Sequence, residues 1–415
     1  MSISPQIFEL IRQEVKRQQE GLVMIASENY ASEDSLKAIG TPLSNKYSEG
    51  YPGKRFYTGN QYIDEIENLA KFEALKMFNL SDQEWTANVQ PHSGSSANIA
   101  VYMGMLNPGD KLMGSDLSQG GHLTHGSPVN FSGKLFNFAH YGVNETTHLL
   151  DYDKIEEIAI AEQPKMIVCG ATAYPRTIDF ARFRAIADKV GALLLADIAH
   201  IIGLIIAGVH PSPFPYADFV TSTTHKTLSG PRSGFVISKI QYAPQIDKAI
   251  FPGMQGGPLD NIIAAKAICF SEAQSEEFKA KQIQTVKNCQ ALAKKLMDEG
   301  IKVITNGTDN HLLLIDCRSV NLLGKEGANL LAEANIYTNF NTVPYDPAKP
   351  FNPSGMRMGT AALSTRGMKE EELEMIGGWI AQILKNPEDK NLREEIKTKV
   401  KELTLGFPIY ENFQI

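Results

Sequence analysis

The sequence is poor in cysteine and has no pair of cysteines at a metal-binding or redox spacing. Its four cysteines, Cys169, Cys269, Cys289 and Cys317, are scattered over 415 residues and form no CxxC pair. Structural zinc sites and disulfide frameworks use clustered cysteines, so neither is expected. The pattern is typical of a protein kept in a reducing compartment.

Long apolar runs and blocks of basic residues are also missing. No apolar stretch approaches the roughly 20 residues that a membrane-spanning helix needs. The first residues read as a capped amphipathic helix that carries acidic side chains, in SPQIFELIRQEVKRQQEG, which is unlike a signal or transit peptide. The formal net charge is −7 and the pI is near 5.8, so the basic footprint of a nucleic-acid-binding protein is absent. We therefore expect a cytoplasmic protein without a membrane or nucleic-acid partner.

What is present is an alternation of short apolar runs and amphipathic stretches between residues 85 and 239. PKMIVCGA, ALLLADIAH and ADFVTSTTHK are typical of buried strands, and FARFRAIADKVG is typical of a helix. This alternation predicts an α/β fold with a mostly parallel sheet and helices on both faces. Ligands of such sheets bind beyond the carboxyl ends of the strands, where Asp197 and Lys226 are expected.

The pattern changes after residue 260. A long helical stretch ends at a glycine C-cap, in FKAKQIQTVKNCQALAKKLMDEG, and is followed by strand-like KVIT, HLLLIDC and GMRMG, with a helix in GKEGANLLAEAN and two amphipathic helices at the end. This predicts a smaller α/β domain. We expect a helical arm over residues 1–30, a large domain over 31–260, and a linker helix with the small domain over 261–415.

Lys226 lies in TSTTHKTLSGPRSG, surrounded by small hydroxyl residues and by no carboxylate. A lysine amine attacks a carbonyl only when it is neutral, which burial and the lack of a carboxylate partner favour. The segment therefore predicts a lysine that bonds covalently to a carbonyl group. The alternative is an exposed lysine on a surface turn.

Asp197 ends the otherwise apolar segment LLLAD, and His200 follows three residues later. A buried carboxylate needs a cationic or hydrogen-bonding partner. The protonated ring nitrogen of pyridoxal phosphate is such a partner, and that ring acts as an electron sink when its nitrogen is protonated. The alternative is a structural aspartate that caps a helix.

Two glycine-rich segments are candidates for binding an anion. In QPHSGSSAN a strand-like segment leads into a turn that opens a helix, where Ser93, Gly94 and Ser95 offer N–H and hydroxyl donors. In FPGMQGGPL, Gly256 and Gly257 offer further backbone donors. Such turns are common N-caps, so either segment alone is weak evidence.

A histidine and an arginine complete the constellation. His122, in GGHLTHGSPVNFSGK, is placed to lie over a flat aromatic cofactor; no carboxylate or cysteine is suitably spaced in the sequence for His122 and His125 to share a metal, so none is expected. Arg357, in SGMRMG, suits the carboxylate of an amino-acid substrate, unless it is an edge-strand arginine facing solvent. Together these features point to a pyridoxal phosphate enzyme.

The motifs IASENYAS, NKYSEGYPGKRFY, NVQPHSGSSAN, GGHLTHGSPVNFSGK, TSTTHKTLSGPRSG, FPGMQGGPL, GTDNHL and SGMRMGT occur in the order found in serine hydroxymethyltransferases, and the chain resembles that family over nearly its whole length. The resemblance implies a fold-type I pyridoxal phosphate transferase, with a seven-stranded type of sheet in the large domain. It implies a homodimer whose active sites are shared between subunits, with a tetramer as the alternative. It also implies conversion of L-serine and tetrahydrofolate to glycine and 5,10-methylenetetrahydrofolate.

The resemblance also implies roles for individual residues. Lys226 matches the lysine that bonds to the cofactor, Asp197 the partner of the ring nitrogen, His122 the stacked histidine, and Glu49 the carboxylate that handles protons. The other expected contacts are Ser93, Gly94, Ser95 and the neighbouring subunit's Gly257 for the phosphate, Thr172 and His200 for the phenolic oxygen, Tyr47 for the cofactor, Arg357, Ser27, Tyr57 and Glu49 for the substrate, and Leu117, Leu123 and Asn341 for the folate. Of these, Tyr47, Glu49 and Tyr57 match residues that reach into the partner subunit's site.

Several positions depart from the family's usual residues: Thr172 for serine, Ser233 for glycine, Asp260 and Asn261 for Met-His, Phe340 for lysine, and Ala361 for proline. Because Phe340 adjoins Asn341, a folate-independent aldolase or transaldolase of β-hydroxy amino acids is an alternative function. A non-catalytic homologue is a second alternative. It predicts the loss of Lys226, Asp197 or Arg357, and all three are intact.

Overall fold

The structure is a computed structural model that describes residues 3–411. The Cα positions fall into two compact units, which we call the large unit (residues 30–283) and the small unit (residues up to 29 together with those from 284 onwards). The domain boundaries predicted at 30/31 and 260/261 stay a prediction.

The strands of the described residues, in chain order, are β1 (Leu22–Val23), β2 (Gly50–Tyr51), β3 (Lys54–Arg55), β4 (Trp85–Asn88), β5 (Lys111–Ser115), β6 (Asn137–Tyr141), β7 (Met166–Cys169), β8 (Leu193–Asp197), β9 (Phe219–Thr223), β10 (Gly234–Lys239), β11 (Lys302–Val303), β12 (Leu312–Asp316), β13 (Ile336–Tyr337), β14 (Asn339–Asn341) and β15 (Gly355–Gly359).

The α-helices, in chain order, are α1 (Ser4–Gln19), α2 (Glu33–Ile39), α3 (Gln61–Lys76), α4 (Gly94–Met105), α5 (Phe131–Leu135), α6 (Tyr152–Glu162), α7 (Phe180–Val190), α8 (Ile202–Ile206), α9 (Ala243–Ile250), α10 (Asp260–Glu272), α11 (Glu276–Asp298), α12 (Gly324–Glu333), α13 (Ala361–Thr365), α14 (Glu370–Lys385) and α15 (Lys390–Leu405). Short 3₁₀ helices cover Pro42–Asn45, Leu117–Gln119, Leu123–His125, Ile240–Tyr242, Ile304–Asn306 and Cys317–Val320.

A seven-stranded sheet is the centre of the large unit, in the order β4-β10-β9-β8-β7-β5-β6. Only β10 runs antiparallel to its neighbours; the other pairs are parallel. The central strands β7 and β9 are buried at every residue, as expected when helices cover a parallel sheet. The predicted mostly parallel α/β fold and the strands predicted around Cys169, Asp197 and Thr223 are confirmed.

The direction of the strands gathers their carboxyl ends at one edge of the sheet. Because β10 is antiparallel to both β4 and β9, β4 runs in the same direction as the parallel strands β5 to β9. The segments that leave β4, β5, β7, β8 and β9 therefore all begin at this edge. These are the segments in which the sequence places its candidate cofactor residues.

The small unit contains an antiparallel sheet in the order β11-β12-β15-β14, and β1 pairs in parallel with β13. Its core combines apolar residues of β12 and β15, such as Leu313, Ile315 and Met356, with apolar faces of α12 and α14. The predicted strands in HLLLIDC and GMRMG and the two closing helices are confirmed. The helix α11 has residues in both units.

The first helix differs from its prediction in one respect. Helix α1 begins after Ile3, whose side chain provides no hydrogen-bonding cap, so the predicted N-cap is wrong. No residue of α1 is buried, and Ile7, Phe8 and Leu10 are among its exposed apolar side chains. Over the described residues, no helix combines the length and apolar character required to cross a membrane.

Candidate active site

Lys226 lies just past the end of β9, in a tight connection that returns the chain into β10. The Gly230 N–H donates to the Thr224 carbonyl at 2.7 Å, and the Thr224 N–H donates to the Ser233 carbonyl at 3.2 Å. Ser229 takes a left-handed conformation with φ 60°, which is uncommon for a residue other than glycine. Lys226 itself is only 9% exposed, so its interpretation as an exposed surface lysine is wrong.

The hydroxyl groups around Lys226 hold the backbone and the neighbouring elements. The Thr221 hydroxyl donates to Asn98 Oδ1 at 2.6 Å, and the Thr227 hydroxyl donates to the His200 carbonyl at 3.0 Å. The hydroxyls therefore fix the exits of β8 and β9 to each other and to α4, a structural role that the sequence did not indicate.

His225, directly before Lys226, is a neutral ring in this site. Its Nδ1 atom is buried without a hydrogen-bond partner. Burial, together with the nearby charges of Lys226 and Arg232, lowers the pKa of His225 to about 3. The residue beside the lysine thus adds no positive charge at neutral pH.

Asp197 lies at the end of β8, where it is paired in register with Thr221 of β9. Its Oδ2 atom accepts hydrogen bonds from Asn98 Nδ2 at 2.9 Å and from His125 Nε2 at 3.1 Å, and its Oδ1 atom accepts the Ala199 N–H at 3.1 Å. The next helix, α8, has Ile201 as its N-cap and no side-chain cap. The interpretation of Asp197 as a helix cap is therefore wrong.

Asp197 is held as a carboxylate although its side chain is only 11% exposed. Burial alone would raise the pKa of Asp197, but the hydrogen bonds from His125 and Asn98 hold that pKa well below its usual value. His125 Nδ1 accepts the His122 N–H at 3.3 Å, which leaves the His125 proton on Nε2, facing Asp197.

The fold brings His122, His125 and Asp197 together, with ligand atoms within 4.8 Å of one another. The sequence spacing predicts no carboxylate near these histidines, and that prediction is wrong. The fold brings Asp197 next to them, although it lies 72 residues after His125 in the chain. Two N–H donors already point at Asp197 Oδ2, and His122 Nδ1 accepts the Thr124 N–H at 3.1 Å. This arrangement is a hydrogen-bonded network that holds a carboxylate in place.

The candidate anion-binding turn follows β4 and opens α4. Ser93 is the N-cap of this 12-residue helix, and its hydroxyl accepts the Ser96 N–H at 3.2 Å. A side chain at Gly94 would place its Cβ 2.8 Å from Thr223 Cγ2, so glycine is required where α4 meets the end of β9. The turn Ser93–Ser95 thus presents N–H and hydroxyl donors, and no carboxylate, next to the segment that carries Lys226.

The turn that carries His122 is fixed by Thr172. The Thr172 N–H donates to the Gly120 carbonyl at 2.8 Å, and its hydroxyl donates to the Gly121 carbonyl at 2.7 Å. A Cβ at Gly121 would lie 2.2 Å from the Ser115 carbonyl oxygen, so the turn needs glycine for its close approach to β5. Threonine therefore supplies the hydroxyl for which serine is usual here.

Arg357 belongs to the small unit and lies in the middle of β15. The strand has neighbours on both sides, β12 and β14, and Arg357 is only 9% exposed. The interpretation of Arg357 as a solvent-facing arginine on an edge strand is therefore wrong. Its Nε atom donates to Asn339 Oδ1 at 3.1 Å, and burial lowers its pKa to about 10, which leaves it charged at neutral pH.

Comparison with known proteins decides the family. The sequence profile of the family described as "Serine hydroxymethyltransferase" matches residues 1–380. This chain belongs to the serine hydroxymethyltransferase family. It is 53% identical to the serine hydroxymethyltransferase of Prochlorococcus marinus over 99% of this chain and 97% of that protein, and 54% identical to the one of Methanosarcina barkeri over 98% of each chain. A third relative of the same name, from Nostoc sp., is 52% identical over 99% of this chain and 96% of its own length.

Serine hydroxymethyltransferases are fold-type I enzymes that use pyridoxal phosphate, with tetrahydrofolate as co-substrate, and the residues described above fit that cofactor. The fit rests on the chemistry of the groups that meet at one edge of the sheet. The turn Ser93–Ser95 has donors for a phosphate, Asp197 is a buried carboxylate for a cationic ring nitrogen, and Lys226 is a buried amine.

A second set of residues expected in the serine hydroxymethyltransferase site forms a cluster of its own on the large unit. The Tyr57 hydroxyl donates to Glu49 Oε2 at 3.2 Å, and the rings of Tyr57 and Tyr47 meet edge to face at 5.1 Å. A Cβ at Gly257 would lie 3.3 Å from the Tyr47 ring. Tyr47 is 54% and Tyr57 45% exposed, so this group, the Tyr47 cluster, presents aromatic surface to the outside.

A buried ion pair supports the Tyr47 cluster, and sequence reasoning missed it. Arg55, in the hairpin of β2 and β3, donates to Glu67 Oε2 at 2.6 Å and to Asp64 Oδ1 at 2.8 Å. Gln90 Nε2 donates to Glu67 Oε1 at 3.0 Å and to the Gly50 carbonyl at 2.9 Å. The hairpin is thereby fastened to α3 and to the segment before the anion-binding turn. Glu67 is only 1% exposed, but nothing in the sequence indicates this burial, because the residues around Glu67 have the pattern of an ordinary amphipathic helix.

The departures from the usual serine hydroxymethyltransferase residues fit locally. Asp260 accepts the Ser48 hydroxyl at 2.7 Å, and Asn261 donates to the Ile39 carbonyl at 2.8 Å. Ser233 is buried and donates to the Pro91 carbonyl at 3.1 Å. Ala361 occupies the first position of α13, where proline is common but alanine is a good helix former.

The remaining expected contacts are placed as follows, and their roles stay predictions. Leu117 and Leu123 of the large unit are apolar side chains with 42% and 43% exposure. In the small unit Asn341 and Ser27 are half-buried, and Phe340 is 43% exposed. His200, in the large unit, is buried with its carbonyl bonded to Thr227.

Proposed function

We propose that this chain transfers the hydroxymethyl carbon of L-serine to tetrahydrofolate, giving glycine and 5,10-methylenetetrahydrofolate, with the chemistry centred on Lys226. The observation that carries the proposal is the meeting, at adjacent strand ends, of a buried lysine and a buried carboxylate. Asp197 and Thr221 are in register, and Lys226 follows Thr223 by three residues. The family membership of the chain agrees with this function.

Pyridoxal phosphate, when bound, supplies an electron sink for the carbanion charge that forms as the Cα–Cβ bond of serine breaks. Lys226 would hold the cofactor, because its buried amine is the group placed to bond to a carbonyl. Asp197 would keep the ring nitrogen of the cofactor protonated, because its lowered pKa leaves it charged at neutral pH. Asn98 and His125 fix both the position and the charge of Asp197 through their hydrogen bonds.

Arg357 binds the α-carboxylate of serine. A guanidinium matches a carboxylate with two parallel hydrogen bonds, and it remains charged when it is buried. The bond from Arg357 Nε to Asn339 at 3.1 Å fixes the plane of the guanidinium. Ser27, half-buried in the same unit, is a further substrate contact by resemblance to the family.

Glu49 moves the proton of the serine hydroxyl. The Tyr57 hydroxyl donates to Glu49 Oε2 at 3.2 Å and so fixes the orientation of the carboxylate. The other carboxylate oxygen, Oε1, is then the one that accepts the proton. Because Glu49 and Tyr57 are part of the exposed Tyr47 cluster, we assign them to the active site of a neighbouring subunit. The phosphate contact expected from Gly257 belongs to that same shared arrangement.

The serine hydroxymethyltransferase family is oligomeric, and we infer that this chain forms a homodimer with shared active sites. The exposed aromatic residues Tyr47, Phe56 and Tyr57 are the surface that supports this inference, since isolated proteins rarely expose such a group. Mixing two inactive variants, Lys226→Ala and Glu49→Gln, tests it. Random pairing would leave about a quarter of the active sites free of both substitutions, and no recovered activity would show that each site is built by one chain.

The conversion of serine to glycine, measured with and without tetrahydrofolate, tests the overall function. We expect turnover of serine only in the presence of tetrahydrofolate. Equal serine turnover without folate would instead identify a folate-independent aldolase, the alternative suggested by Phe340 beside Asn341. A cytoplasmic location, which we also propose, agrees with four buried cysteines that form no disulfide among the described residues.

A further inference from the structure

Lys266 is a buried lysine that the proposed chemistry does not use. It lies in the apolar stretch NIIAAKAICF of α10 and is 1% exposed. Its Nζ atom donates to three backbone carbonyls: Val89 at 2.5 Å, Gly234 at 2.8 Å and Pro91 at 3.1 Å. A fully buried lysine requires strong compensation, because removing its charge from water is costly.

The three carbonyls come from the segment that leads into the candidate anion-binding turn and from the strand beside it. Val89 and Pro91 belong to the segment between β4 and Ser93, the N-cap of α4, and Gly234 is the first residue of β10. Gly234 packs closely against Ser93, because a Cβ at Gly234 would lie 2.3 Å from the Ser93 carbonyl oxygen. Lys266 therefore binds two carbonyls of the segment that leads directly into the donors assigned to the cofactor phosphate, and one carbonyl of the strand that packs against Ser93.

The number of acceptors indicates that Lys266 carries its charge. An ammonium group has three N–H donors, one for each carbonyl, whereas a neutral amine has only two. Burial lowers the pKa of Lys266 to about 7, while the charge of Glu67 acts in the opposite direction. Glu67 is itself bonded to Arg55 and Gln90, and in the described part of the chain Lys266 forms no ion pair. A bound anion would supply the compensating charge.

We infer that Lys266 is a positioning residue for the cofactor phosphate: its ammonium group fixes the carbonyls behind the Ser93–Ser95 turn and places a positive charge beneath the anion. This inference rests on the proposed function, since it takes the phosphate to bind at that turn. It predicts that Lys266 contributes to the binding of the phosphate group and not to the binding of the pyridine ring.

The experiment compares two ligands that differ only in the phosphate. Apoprotein of the full chain, wild type and Lys266→Met, is titrated with pyridoxal phosphate and with pyridoxal, and the bound fraction is measured by equilibrium dialysis. Methionine matches the length of the lysine stem without the charge. We expect the affinity for pyridoxal phosphate to fall about tenfold or more, and the affinity for pyridoxal to change less than about threefold.

Ser233→Ala is the matched control, because the Ser233 hydroxyl also donates to the Pro91 carbonyl, at 3.1 Å, but carries no charge. It should leave the ratio of the two affinities within about threefold of wild type. The inference would be overturned if Lys266→Met lost affinity equally for both ligands, or lost affinity for neither.

Two additions keep the test decisive. If Lys266→Met does not fold, Lys266→Gln is used, because glutamine retains two N–H donors without the charge. Inorganic phosphate should then raise the thermal midpoint of wild-type apoprotein but not that of Lys266→Gln, and equal stabilisation of both proteins would contradict the inference.

Ser95→Ala separates this inference from the proposed function. If Ser95→Ala shifts the affinity ratio and the Lys266 variants do not, only the role of Lys266 is wrong. If neither shifts it, the phosphate does not bind at this turn.

Discussion

Replacing Asp197 with asparagine tests whether a carboxylate is needed at the end of β8. The two side chains have the same shape, so the change removes the charge and one acceptor without opening a cavity. Asp197 Oδ2 faces two donors, Asn98 Nδ2 at 2.9 Å and His125 Nε2 at 3.1 Å, and Oδ1 faces the Ala199 N–H at 3.1 Å. An asparagine has one acceptor oxygen, so its NH₂ group must face a donor in either orientation.

The magnitude follows from these contacts. A hydrogen bond to a charged group contributes about 1.5–3 kcal/mol, and an unsatisfied buried donor costs a similar amount. We therefore expect Asp197→Asn to lower the free energy of unfolding of the apoprotein by about 2–5 kcal/mol. Turnover should fall at least about a hundredfold, equivalent to about 2.7 kcal/mol of lost transition-state stabilisation, because nothing then keeps the cofactor nitrogen protonated.

The assay combines urea unfolding of the apoprotein with serine turnover in the presence of tetrahydrofolate, normalised to folded protein. Asp218→Asn is the matched control. Asp218 is a buried carboxylate just before β9, at the opposite end of that strand. It accepts hydrogen bonds from Arg184 Nη1 at 3.0 Å and from the Leu194 N–H at 2.9 Å. We expect it to destabilise the protein comparably and to leave turnover per folded molecule unchanged.

Turnover of Asp197→Asn within about threefold of wild type would refute the reasoning, since the barrier would then depend on the Asp197 charge by less than about 0.7 kcal/mol. A fall of equal size in Asp218→Asn would also refute it, because the loss would then come from weakened folding rather than from the cofactor site.

The remaining predictions concern Arg357, with Asn339 for comparison, and then His225 and Tyr57. Arg357→Ala should raise the KM for serine about a hundredfold or more, since it removes the buried charge that we propose pairs with the substrate carboxylate. Asn339→Ala should raise that KM only about fivefold, and an unchanged KM in Arg357→Ala would exclude the proposed role of Arg357. His225, with its pKa lowered to about 3 by burial, takes up a proton on unfolding at any pH between about 3 and 6.5, so acidification through this range favours unfolding. Between pH 6.5 and 5 the wild-type apoprotein should lose about 1–2 kcal/mol more stability than His225→Asn, and parallel pH profiles from urea unfolding would contradict the lowered pKa. Tyr57→Phe should lower kcat, because Glu49 loses the hydroxyl donor at 3.2 Å that orients its carboxylate; an unchanged kcat would separate Tyr57 from the role of Glu49.

Much of the large unit could be predicted from the sequence because its signals are local. Strands such as Leu193–Asp197 are short apolar runs between helical stretches, and the rule that ligands bind at strand exits then selects Asp197 and Lys226. The turn at Ser93 was predicted from the glycine and serine residues that open a helix. Each of these features needs only a few neighbouring residues to be recognised.

The residues that sequence reasoning missed depend on contacts between distant segments. Asn98 and His125 meet Asp197 from 99 and 72 residues away, so nothing beside either residue indicates its partner. Arg55 and Glu67 likewise lie in segments that look exposed. Lys266 had the clearest signal, a charged residue within an apolar helical stretch, but only the fold shows that its acceptors are the carbonyls behind the anion-binding turn.

The role of the hydroxyl residues around Lys226 shows the same limit. Their small size and lack of charge indicate a site without a carboxylate, which is why the segment predicts a reactive lysine. Their hydrogen bonds, from Thr221 to Asn98 and from Thr227 to the His200 carbonyl, exist only once the ends of β8 and β9 and the helix α4 are assembled. Composition therefore predicts the chemistry of this segment better than it predicts the packing.

The central claim is that Lys226 is the amine that holds pyridoxal phosphate, and reduction of the protein with borohydride in the presence of the cofactor tests it most directly. Peptide mass spectrometry should find the reduced cofactor on Lys226 as the principal modified lysine, and Lys226→Ala should lose the label. A label on another lysine with Lys226 unmodified, or undiminished labelling of Lys226→Ala, would contradict the account.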